Sequence, residues 1–138
     1  MSVKVTNLSK LTVDLDKIAE SLGLEVVTVQ KKLAFDIFAD IVADTPIDTG
    51  RAMNNWNISV GTPDRSTTER GGSEGGIAGT KRGDATAALG GLRPFSTVWI
   101  SNSLPYIIFL NEGSSDQAPS GFIEKNVFNN LSGLGAVA

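Results

Sequence analysis

The sequence contains no cysteine and no histidine. Their absence removes thiol nucleophiles, disulfides, zinc sites of the usual Cys/His kind and histidine acid–base chemistry. Positive charge is also scarce: 12 Lys and Arg stand against 15 Asp and Glu, a net charge of −3. The chain therefore lacks the basic footprint with which proteins neutralise nucleic-acid phosphates, and tight general DNA binding is not expected. No stretch approaches the roughly 18 apolar residues of a membrane span, and Met1 to Lys10 hold no apolar signal core. A cytosolic product without an export signal is the expectation.

What is present is enough for a modest core. With 138 residues, 41% of them hydrophobic, the expectation is one domain over 1–138. Residues 1–13 alternate weakly and read as an N-terminal arm or a short edge strand. From Asp14, Leu15, Ile18, Leu22, Val26, Val29, Leu33, Ile37 and Ile41 recur at steps of three and four, one face of a helix. Asp14 is the expected N-cap, and Gly23 with Val26-Val27-Thr28-Val29 is the expected weak point. Phe35 and Phe38 widen the stripe.

That helix should stop near Asp44, because Thr45 precedes Pro46 and a residue before proline is pushed out of the α region. Asp48-Thr49-Gly50 supplies turn chemistry, and Arg51 to Trp56 either wind one more turn or open a strand. Pro46, Asp48, Thr49, Gly50 and Arg51 are thus read as a structural hinge, with Arg51 a partner for Asp48 or for a carboxylate of a neighbouring subunit. Trp56, Ile58 and Val60 alternate with polar residues as in a half-buried strand. Residues 97–101 give a second strand signal, expected to pair antiparallel with the first. Pro105 favours a short helical turn ending at Glu112-Gly113, and Phe122 to Leu131 space as a closing helix with Ser120 as its cap.

Between the two strands, Thr62 to Arg93 holds eight glycines and almost no large apolar side chain before Leu89. It reads as a flexible glycine-rich loop that orders against a partner, with Arg65, Arg70, Lys81, Arg82 and Arg93 as its assembly contacts. Deleting Arg65 to Gly90 should then leave the chain folded. The loop contains a phosphate-loop-like run at 71–76, which lacks the Lys-Ser/Thr, and an adhesion-like Arg82-Gly83-Asp84; neither carries weight. The fold class expected is α+β: a long N-terminal helix on a small antiparallel sheet with a long flexible hairpin loop and a short C-terminal helix. Its core is Ile18, Leu22, Leu33, Phe38, Trp56, Trp99 and Tyr106.

Asp44, Asp48, Glu112 and Asp116 are the carboxylates worth testing as a metal-dependent hydrolase set, but they lack regular ligand spacing. No catalytic set, metal or cofactor is expected. A second class is a small acidic protein-binding module, an inhibitor or regulator using the Phe35/Phe38 helix face or the loop.

Thr45-Pro46-Ile47-Asp48-Thr49-Gly50-Arg51 with Trp56 downstream, then Ser101-Asn102-Ser103-Leu104-Pro105-Tyr106 and Leu110-Asn111-Glu112-Gly113, resembles a phage group in the same order. It is the tail-completion, or minor tail protein Z-like, family of head–tail joining proteins of long-tailed phages. The resemblance covers roughly residues 14 to 131 and implies a non-enzymatic virion subunit, assembled in the host cytoplasm. It implies a homo-oligomeric ring at the neck, contacts with other neck and tail proteins, no membrane, and DNA passing through the lumen without specific binding. A weakly acidic wall suits the passage of a polyanion with about one charge per 1.7 Å.

Overall fold

The structure, a computed structural model of the chain, describes residues 2–4, 12–14, 20, 25–94, 96–113 and 121–133. Two short strands, β1 (Ser2–Lys4) and β2 (Thr12–Asp14), pair antiparallel with Val3 opposite Val13. Asp14 is thus the last residue of β2, and the residues it was expected to cap lie outside the described ones. Leu15, Ile18, Leu22, Gly23 and Ser120 lie outside the described residues.

The long helix α1 runs Val26–Asp44, preceded by Glu25 in an extended conformation that makes no side-chain cap bond. Val29, Leu33, Ile37 and Ile41 recur every fourth residue and are buried, joined by Phe38 and Val42 at 0% and 1% exposure. Each such side chain contributes roughly 1.5 to 3 kcal/mol on burial. The helix ends where proline requires, with Thr45 extended at φ −65°, ψ 126°. One further turn, α2 (Arg51–Asn54), precedes β3 (Trp56–Val60), which pairs antiparallel with β4 (Val98–Asn102), Trp56 opposite Asn102 and Val60 opposite Val98. A short helix α4 (Ile107–Asn111) and a closing helix α5 (Phe122–Gly133) complete the order. The fold is α+β, with a long N-terminal helix and a two-stranded antiparallel sheet.

The connection between β3 and β4 differs from expectation. Residues 74–89 form a 16-residue helix, α3 (Glu74–Leu89), not a flexible loop. The Ser73 hydroxyl accepts from the Gly76 amide at 3.2 Å, capping a first turn that carries Glu74. Ile77, Lys81, Ala85 and Leu89 follow at four-residue steps, and all four are buried. This stripe is thin, and Ala85, at 0% exposure, allows close approach to α1, so tertiary packing offsets the poor helix propensity of the four internal glycines. Arg82-Gly83-Asp84 is one turn of this helix. Since Ile77 and Ala85 belong to the main core with Phe38, Phe122 and Leu131, removing 65–90 would open that core and not leave it intact.

Gly79 and Gly83 face solvent on α3, and a Cβ built on either meets nothing within 4 Å. Gly79→Ala and Gly83→Ala are each expected to stabilise by about 0.5 to 1 kcal/mol. A thermal melt should rise by roughly 2 to 5 °C for each; a fall would mean that α3 is not helical there.

Candidate functional site

The hinge is a built corner. The Thr45 hydroxyl donates to Ile41 O at 2.7 Å and accepts from the Trp56 indole Nε1 at 2.8 Å, with both residues buried. One threonine thus satisfies the helix end and the polar edge of the core tryptophan. Thr45→Val leaves that indole N–H buried without an acceptor, at an expected cost of about 2 kcal/mol, whereas Thr45→Ser should stay within about 1 kcal/mol. Denaturant unfolding followed by tryptophan emission separates the two.

Beyond Pro46, which is buried, Asp48 and Thr49 are exposed, and the Thr49 hydroxyl accepts from the Arg51 amide at 3.2 Å. Gly50 adopts φ +85° and its carbonyl accepts from Asn54 N at 2.9 Å, starting α2. Within the chain Arg51 pairs not with Asp48 but with Glu69, Nη2 to Oε1 at 3.2 Å. Glu69 is 90% exposed, so the pair adds little stability.

Residues 46–52 line an open cleft of about 260 Å³ whose other side is Tyr106 and Leu110. The hinge motif and the Pro-Tyr to Glu-Gly motif, distant in sequence, therefore meet at one place. Tyr106 is half-buried at this cleft, not a core residue as expected. The α4 turn beside it exposes Ile108 and Phe109 at 60% each. Behind it, Asn111 is buried: its Nδ2 donates to the Glu124 carboxylate at 3.0 Å, and its Oδ1 accepts from Ile123 N at 3.0 Å. Asn111 thereby fixes the start of α5 against α4.

Residues 61–72 run as an extended strap held to the corner and to one face of the β3–β4 hairpin. Asn57 donates to Asp64 O and Ser66 O, Ser101 to Asp64 O, Ser59 to Thr62 O, and the Trp99 indole to Gly61 O at 2.9 Å. Asn55 brackets Thr68, donating to its carbonyl at 2.9 Å and accepting from its amide at 2.8 Å. Gly72 N donates to Thr49 O at 3.0 Å. Trp99 is therefore half-buried on this polar face and outside the core expected for it: the alternation that buries Ile58 and Ile100 turns it to the opposite side. The Asn54-Asn55-Trp56-Asn57 run is the signal that could have revealed the strap, since short side-chain amides are suited to holding a crossing backbone, and all three donate to strap carbonyls.

The cations expected in the assembly loop divide. Arg65, Arg70, Arg82 and Arg93 are exposed, whereas Lys81 is buried on α3 at 8% exposure, 3.9 Å from Asp84. Burial pushes the Lys81 ammonium below its ordinary 10.5, and Asp84 acts in the opposite direction. Lys81 is a packing residue and is not available to a partner. In the strap, the Ser66 hydroxyl and then its amide hold Asp64 below its ordinary 3.8.

The described members of the expected metal set, Asp44, Asp48 and Glu112, are not assembled. Asp44 accepts from Asn126 Nδ2 at 2.9 Å, Asp48 and Glu112 are exposed, and Asp116 lies outside the described residues. Among the described residues no group of three or more Asp or Glu is placed to share a metal ion, and no helix is long and apolar enough to cross a membrane. Phe38 has no exposed surface and Phe35 is half-buried, both packed into this chain's own core. The chain matches no protein-family model, no curated protein and no solved structure.

Proposed function

We propose that the chain is a structural subunit of a long-tailed phage virion, a tail-completion or head–tail joining protein that assembles into a ring at the neck through which DNA passes. It acts by assembly, without catalysis or a cofactor, beside other neck and tail proteins. The observation that carries this reading is the convergence of its two motif groups: residues 46–52 meet Tyr106 and Leu110 around one cleft, next to the exposed Ile108 and Phe109. Motifs that only stabilised the core would have no reason to border an apolar surface patch.

Mass measurement of the purified chain, with electron microscopy of isolated tails incubated with it, tests the reading. A ring that joins tails is the expected result; a chain that stays monomeric and joins neither heads nor tails overturns it. Ile108→Ser with Phe109→Ser should leave the melt within about 0.5 kcal/mol, because both side chains are exposed. The pair should weaken assembly about 30-fold or more, the effect of losing an apolar hot spot.

A further inference from the structure

We infer that the outer edge of β4 receives an added β-strand, supplied by the β1–β2 hairpin of a second copy of this chain. The sheet formed by β3 and β4 has four sides, and three are occupied. Ile58 and Ile100 on its inner face pack on the core, the strap covers the opposite face, and α3 packs along β3. Among the described residues no element other than β3 packs extensively on β4.

The edge is chemically open as well. Gly61 N donates to Thr97 O at 2.8 Å, so in the antiparallel register the hydrogen-bonded pairs are 59–99 and 57–101. The amides and carbonyls of Val98 and Ile100 then point away from β3, and no partner for them exists among the described residues. Gln30 Nε2 of α1 donates to Ser96 O at 2.7 Å and so fixes the approach to β4. Two edge residues with unpaired main-chain groups are what a docking strand would satisfy.

The occupant is indicated by the chain itself. β1 and β2 pair with each other, and among the described residues no other element packs extensively on them. An isolated two-stranded hairpin is marginal in water and becomes stable by joining further strands, and β3–β4 is the same kind of incomplete sheet. Added to one another across two copies, they make a four-stranded sheet with main-chain hydrogen bonds as its adhesive. This contact rests on the self-assembly in the proposed function and names where one copy holds the next.

Amide hydrogen exchange on the full chain across a concentration series tests it. The amides of Val98 and Ile100, with those of 2–4 and 12–14, should slow at least about tenfold on association. Val98→Pro removes one outward N–H and no bond to β3, so it should abolish that protection while the melt stays cooperative. Association that protects only 107–111, or protection at Val98 and Ile100 that does not depend on concentration, overturns the inference and leaves the virion reading standing. A chain that never associates yet still joins isolated tails does the same. A chain that neither associates nor joins tails overturns both.

Discussion

Gly50→Ala is expected to destabilise the chain by about 2 to 5 kcal/mol. Two costs add. At φ +85° a Cβ carries the left-handed penalty of roughly 1 to 2 kcal/mol. The added carbon would also stand 2.6 Å from Gly72 O, 2.9 Å from Gly72 N and 2.7 Å from Ile77 Cδ1. Two of these atoms are backbone, so relief requires moving the strap end and the start of α3, at about 1 to 3 kcal/mol for overpacking. Gly61→Ala is the control: φ is +92°, but its Cβ would meet nothing within 4 Å, so only the conformational cost applies. Denaturant unfolding should rank Gly50→Ala well below Gly61→Ala. Equal values would mean that the corner and the strap do not touch as described. The same experiment followed by hydrogen exchange should show the Gly72 amide, bonded to Thr49 O, losing protection first.

Phe38→Ala carries the other large expected loss, about 3 to 5 kcal/mol, the range for truncating a fully buried phenylalanine. Phe38 has no exposed surface and sits in the cluster shared by α1, α3 and α5. The loss should appear as a lower unfolding midpoint with an unchanged denaturant slope, because the fold keeps its compactness. Assembly of whatever fraction stays folded should be normal, since the side chain reaches no surface. That separates it from Ile108 and Phe109, for which the pattern is reversed: stability unchanged and assembly lost. If Phe38→Ala were as stable as the natural chain but lost a partner, the helix-face binding module would be the better description.

Much of the fold was readable because it is set locally. Thr45 before Pro46 ends α1, alternation from Trp56 to Val60 makes β3, Pro105 opens the α4 turn, and Phe122 to Leu131 repeat with a helical period. The start of α1 was less readable: the apolar stripe continues upstream of Val26, but Asp14 is paired in β2. At the candidate site, the hinge residues were legible as a corner, and their order relative to Tyr106 and Leu110 as a motif set. That the two border one cleft was not, because nothing local relates residues so far apart. The exposure of Ile108 and Phe109 was equally hidden, since a five-residue apolar turn reads the same whether its outer side is covered or bare.

The glycine-rich connection marks the division most clearly. By itself the sequence determined where backbone freedom lies and where proline and alternation interrupt it, since ring closure, sterics and strand pleat act within a few residues. Only the tertiary structure decided that residues 74–89 are a helix, because four glycines make it too costly until α1 covers Ile77, Ala85 and Leu89. It likewise decided that Lys81 is buried, that Trp56 is core while Trp99 is not, and that 61–72 lies bound along the hairpin. Those outcomes depend on which surfaces meet, and burial and hydrogen-bond satisfaction are properties of the meeting surfaces.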